Sequence, residues 1–103
     1  MTIANCKVKR ILVDNDSLAD ILFLEAYQKI GLSKEKLKKV EKLLQGFSGA
    51  SVKVEGSIEL PVRVGTRDSK ASLMINFLVV DITSAYNTIL RRVSLNLLKA
   101  VVS

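Results

Sequence analysis

The sequence predicts a mostly β domain with two or three short helices, and three stretches predict it. From 52 to 64, apolar and polar residues alternate, the mark of a strand with one face buried. From Ala71 to Ile82 the chain is almost continuously apolar, as for a central strand covered on both faces. From Val8 to Val13 a β-rich run stops abruptly at Asp14-Asn15-Asp16-Ser17, whose short polar side chains favour turns. At 103 residues, the chain is expected to form a single domain over 1–103. Such a chain buries roughly 60–70% of its unfolded surface, enough for a core.

Each element follows in order. Val8 to Val13 reads as a strand that ends in a tight acidic loop. Leu18 to Ile30 carries its apolar residues at mixed spacings, consistent with a short strand followed by a helix, and Gly31 makes a plausible stop. Leu37, Val40, Leu43 and Leu44 then have helical spacing, with Ser33 as the expected N-cap. Val52, Val54, Ile58, Leu60, Val62 and Val64 form the apolar stripe of the long strand. Gly56 interrupts that stripe where a bulge or bend is expected, and Pro61, lacking an amide donor, suggests an edge position. Thr66-Arg67-Asp68-Ser69 reads as a turn before the apolar strand. Asn87 to Leu90 is a last strand, and Val93 to Val102 an apolar helix.

Composition removes much chemistry before any motif is considered. The sequence has no His, so Ser-His-Asp and Cys-His catalysis and His-bearing zinc sites are excluded. Its one cysteine, Cys6, builds neither a thiolate metal site nor an intrachain disulfide, which fits a reducing compartment. Carboxylates, Lys, Tyr and that thiol remain as proton-transfer groups. The net charge of +6 comes from 16 Lys and Arg against 10 Asp and Glu. Such a balance often marks a nucleic-acid partner. Here, however, Lys34, Lys36, Lys38, Lys39 and Lys42 interleave with Glu35 and Glu41, as on a solvated face, and no basic-aromatic pattern accompanies them. No apolar run reaches the roughly 20 residues of a membrane span, and the N-terminus has no secretion-signal pattern, so a cytoplasmic location is expected.

The acidic loop is where chemistry can concentrate. Asp14, Asp16, Asp20 and Glu25 fall at calcium-loop positions, but Leu18 and Ala19 stand where a ligand and the turn glycine belong, which excludes that reading. Ile11-Leu12-Val13-Asp14-Asn15-Asp16 also resembles the Asp-x-Asp segment of haloacid-dehalogenase phosphatases. That family needs a longer doubly wound domain, and the downstream alternation here is not βαβ. A third resemblance spans the chain from about Val8 to the C-terminus. Val8-Lys9-Arg10-Ile11-Leu12-Val13-Asp14-Asn15-Asp16-Ser17-Leu18-Ala19-Asp20-Ile21-Leu22 resembles the active-site segment of retropepsin-like aspartic proteases. It is most similar to the group carried by plant gypsy-type LTR retrotransposons, whose motif reads Asp-Asn-Gly-Ser-Ser-Ala-Asp-Ile-Leu. Further matches occur in the family's order. Gly46-Phe47-Ser48-Gly49 resembles its flap, and Gly56-Ser57-Ile58-Glu59-Leu60-Pro61-Val62 and Phe77-Leu78-Val79-Val80-Asp81 resemble its sheet strands. Ser84-Ala85-Tyr86-Asn87-Thr88-Ile89-Leu90-Arg91-Arg92 resembles its second conserved segment, usually Ser-Ala-Tyr-Asn-Ala-Ile-Leu-Gly-Arg.

The resemblance implies a closed retropepsin-like β-barrel, the acid protease fold, and an endopeptidase that processes a retrotransposon polyprotein. It implies Asp14 as the catalytic carboxylate, with its second copy supplied by an identical chain across a two-fold axis. Asn15, Asp16 and Ser17 would complete the active-site loop, and Gly46, Phe47, Ser48 and Gly49 would close over an extended peptide. Ile89, Leu90 and Arg91 would lie beneath that loop. No cofactor or metal is implied; the partners are a peptide or polyprotein substrate and a second copy, within the cell or a retroelement particle.

This chain departs from the family pattern in ways that predict impaired activity. Asp16 replaces the glycine of the catalytic triplet, straining a tight loop and adding a carboxylate beside the dyad. Arg91 replaces the glycine of Ile-Leu-Gly, so it must disturb the core, swing outward, or pair with Asp16. Leu43 and Gln45 replace the usual Pro and Val. The sequence ends at Ser103, where retropepsins continue into a segment of the dimer sheet, so that segment is expected to be missing. The alternative functions are a non-catalytic peptide-binding module on the same fold and a basic nucleic-acid binder, the latter unlike what the charge pattern favours.

Overall fold

The computed structural model describes residues 1–15, 19–40, 43–45, 51–64 and 72–102. Among the described residues, eight strands and two α-helices build one curled sheet with helices packed against it. The strands are β1 (Thr2–Ile3), β2 (Cys6–Lys7), β3 (Ile11–Asp14), β4 (Asp20–Phe23), β5 (Leu43–Gln45), β6 (Ser51–Arg63), β7 (Leu73–Val80) and β8 (Thr88–Arg91). The helices are α1 (Leu24–Ile30) and α2 (Arg92–Val102), with a short 3-10 turn at Lys34–Lys36. Strands run in the order β2-β1-β6-β7-β4-β8-β3, with β5 paired to β6 off that path. The mostly β class and its short helices are as the sequence predicts.

The long antiparallel pair of β6 and β7 is the frame. Val62 opposes Leu73, Leu60 opposes Ile75 and Ile58 opposes Phe77, so the even stripe of β6 meets the odd stripe of β7 on one face. The register shifts between Val54 and Gly56, which places the bulge where Gly56 predicts it. That glycine is required by contact. A Cβ there would lie 2.7 Å from Leu37 Cβ and 2.9 Å from the Lys38 carbonyl, because Lys38 and Ser57 exchange backbone hydrogen bonds across the bulge. The bridge also buries Ser57, a residue of the otherwise solvent-facing odd set.

β7 then pairs β4 in parallel, β4 pairs β8 antiparallel, and β8 pairs β3 in parallel. Alternation along these strands divides the core between two faces. Leu22, Phe77, Val79 and Leu90 join Ile3, Tyr27, Leu60, Val62 and Leu98 in the larger cluster. Ile21, Phe23, Leu78, Val80 and Ile89 join Val54 on the other side. Two-sided burial explains why β7 reads as an apolar run rather than an alternating one. α1 leaves β4 without a side-chain cap, buries Leu24, Ala26 and Tyr27, and ends at Gly31 with φ of 92°, the left-handed cap expected of it.

Three expectations need correction. The run from Val8 to Val13 is broken, since Arg10 takes a left-handed φ of 57° and β3 begins only at Ile11. Ser33 does not cap a helix through its side chain: only the 3-10 turn forms, Lys38 bridges to β6, and β5 is extended. Propensity lost there to pairing with the β6 edge, since an isolated short helix is marginal. Pro61 lies within an interior strand. Its carbonyl accepts from Ala4 N at 2.9 Å, so its nitrogen faces the point where β1 turns away at Ala4 and Asn5. Locally, that is an edge, which is how a proline is tolerated. Thr66 to Ser69 lies outside the described residues.

Candidate active site

Asp14 is the last residue of β3 and stands opposite Arg91, the last residue of β8, in parallel register. Three preceding pairs fix that register: Ile11 with Thr88, Leu12 with Ile89 and Val13 with Leu90. Ile89 and Leu90 are buried, one in each core cluster, so β8 is anchored on both faces directly beside the Asp14 strand. Asp14 is half-buried, at the C-terminal end of β3. Asn15 follows it, exposed, with Oδ1 accepting from Arg92 Nε at 3.1 Å. Asp16 and Ser17 lie outside the described residues.

β4 opens on a carboxylate, Asp20, that stands within the motif and for which the retropepsin resemblance implies no role. Asp20 is 2% exposed. Its Oδ1 accepts from the Arg91 backbone N–H at 2.8 Å; its Oδ2 accepts from Arg91 Nε at 3.3 Å and from Ser94 Oγ at 2.9 Å. One buried carboxylate thus ties the start of β4 to the end of β8 and the first turn of α2. With three donors on it, Asp20 acts as a brace, not as a proton acceptor for substrate. The only signal in the sequence is a single acid entering an apolar run, Ala19-Asp20-Ile21-Leu22. Thr88, fully buried, similarly donates its hydroxyl to the Ile21 carbonyl.

Arg91 departs from two of the three arrangements expected of it. It neither disturbs the core nor turns to bulk solvent alone. Its side chain is 41% exposed, and its Nε is committed to Asp20; Asp16, the partner considered for it, is outside the described residues. Beside this pair a groove of about 330 Å³ opens between β7 and α2, lined by Asp20, Arg91, Met74, Asn76 and Leu97 among others.

The expected flap residues Gly46, Phe47, Ser48 and Gly49 also lie outside the described residues. The strands that precede and follow them are antiparallel partners, with Gln45 opposite Ser51 and Leu43 opposite Lys53. Among the described residues no group of three or more His, Cys, Asp or Glu side chains could hold a metal ion, and no helix is long and apolar enough to cross a membrane.

No family model and no curated protein matches the sequence. Among solved structures, the chain is similar to EIAV protease complexed with the inhibitor HBY-793, with a TM-score of 0.68. The likeness covers 94% of this chain and 82% of that one at 21% sequence identity. The fold is retropepsin-like.

Proposed function

We propose that the chain is an aspartic endopeptidase domain that works as a homodimer on an extended peptide, of the kind that processes a plant gypsy-type retrotransposon polyprotein inside the cell. The observation that carries this reading is Asp14 at the end of a strand locked to β8 within a retropepsin-like fold. One chain of this length supplies one such carboxylate, and a second copy supplies its twin across the axis. Two carboxylates in contact cannot both ionise, so the pair holds a single proton. The ionised carboxylate takes a proton from water as the water oxygen attacks the peptide carbonyl carbon, while the protonated one gives its proton to the carbonyl oxygen. Collapse of the tetrahedral species breaks the C–N bond, and the amine leaves with a proton returned from the dyad. No metal or cofactor takes part.

Activity is expected to be impaired chiefly by Asp16, because a non-glycine residue in a tight catalytic loop costs on the order of 1–3 kcal/mol and adds negative charge beside the shared proton. Arg91 weighs less in this argument, since Asp20 receives it. The test compares peptide cleavage at mildly acidic pH by the unsubstituted chain and by the Asp16→Gly/Arg91→Gly double variant. The expected outcome is a gain of roughly 5- to 100-fold in the double variant and a loss of at least about 100-fold on adding Asp14→Ala. Equal rates with and without the glycines would remove the impairment, and cleavage surviving Asp14→Ala would remove the protease assignment. Sedimentation across concentration adds a further check, because a strict monomer never assembles the dyad. A chain that binds a statine-type inhibitor yet never cleaves would instead be a peptide-binding module, the reading that Asp16 in place of glycine favours.

A further inference from the structure

We propose that Asn87 is a positioning residue for Asp14, acting through the left-handed turn at Lys9–Arg10; the proposal rests on the protease reading above. β3 is the last strand of the sheet path, bonded on one side to β8. Its direction therefore depends on how the chain enters it. That entry is Arg10, whose φ of 57° is one that an L side chain rarely adopts unaided. Asn87 holds the entry from two sides. Its side-chain Nδ2 donates to the Lys9 carbonyl at 2.7 Å, and its backbone N–H donates to the Arg10 carbonyl at 2.9 Å. Its own carbonyl accepts from Phe23 N at 3.1 Å, so the same residue also fixes the end of β4. Both strands that flank the acidic loop are thus tied to one residue immediately before β8. An Asn at this point supplies a donor that no aliphatic residue offers, and it is the donor on Lys9 that substitution can remove without touching the backbone.

Asn87→Asp is the sharpest probe, because it keeps the shape and deletes the N–H donor. The expected result is a displaced Asp14 carboxyl-carbon resonance in the NMR spectrum, with that of Asp20 unmoved, and a kcat about tenfold lower at a KM within about twofold. Arg10→Gly added to Asn87→Asp should restore both, since glycine takes positive φ without help. A resonance and kcat that stay unchanged in Asn87→Asp overturn the proposal, as does a defect that Arg10→Gly leaves in place. Should Asn87→Asp fail to fold, Asn87→Ala is read in the same way. If neither the unsubstituted chain nor its Asp16→Gly/Arg91→Gly variant cleaves, the protease reading fails, while the Asp14 resonance alone still decides whether Asn87 governs that carboxylate.

Discussion

The β6–β7 hairpin and the corner where β3, β4, β8 and α2 meet are neighbours in one sheet, yet different forces hold them. β6 and β7 are held in register by apolar alternation: shifting either by one residue would turn Leu60, Val62, Ile75 and Phe77 to the wrong face. The corner depends instead on a few polar atoms. Asp20, Ser94 and Thr88 are all buried and all satisfied, and Asn87 and Arg91 complete the network. Apolar packing tolerates substitution gradually. A polar network tolerates it poorly, because every partner left behind is desolvated and unpaired.

The largest expected effect therefore falls in the corner. Asp20→Ala deletes the acceptor for the Arg91 backbone N–H, Arg91 Nε and Ser94 Oγ at once. Breaking a buried charged pair costs about 3–5 kcal/mol, and the half-exposed Arg91 guanidinium, which regains water, keeps the loss near the lower end. Urea unfolding measures it. A change under about 1 kcal/mol would mean that the corner is held by packing, like the hairpin, and would dissolve the comparison. The next effect is in the hairpin. Gly56→Ala puts a methyl 2.7 Å from Leu37 Cβ and 2.9 Å from the Lys38 carbonyl, and overpacking of this kind costs about 1–3 kcal/mol. The Lys38–Ser57 bridge should open first, visible as faster exchange of the Lys38 and Ser57 amides, with the rest of β6 retained.

This contrast also explains what could be read from the sequence. Period-two alternation over 52–64, the apolar run of β7, the Gly56 bulge and the Gly31 cap were all legible, because hydrophobic period and glycine conformation are local properties. The corner was legible only in outline. Asp14 and the Ile89-Leu90 pair stood out as motif, but the role of Asp20 depends on Arg91 and Ser94, more than 70 positions away. The Arg10 break was hidden because nothing in Val-Lys-Arg-Ile requires positive φ; it is imposed by the bonds that Asn87 makes to Lys9 and Arg10. The Lys34–Leu44 segment misled for a related reason: its helical spacing is real, but the β6 edge offers it hydrogen bonds that a short helix cannot match.

The smallest effect tests the same contrast inside the larger apolar cluster, where one polar atom sits. Tyr27 is fully buried, and its hydroxyl donates to the Ser33 carbonyl at 2.7 Å, fastening α1 to the chain that follows it. Tyr27→Phe should cost about 0.5–1.5 kcal/mol at neutral pH, the net worth of one neutral hydrogen bond. Burial also pushes the Tyr27 phenol above its usual 10.0, because the phenolate would lose its hydration. The sign follows from proton binding: above pH 10.0 the unfolded chain releases this proton while the folded chain keeps it, so the folded state binds more protons and its stability falls as pH rises. The phenylalanine variant lacks that loss. The stability gap between the two proteins should therefore grow smaller between pH 10.0 and the raised phenol value, while below pH 9 it stays constant; a gap that widens with pH would mean that the phenolate, not the phenol, is the form the fold accommodates.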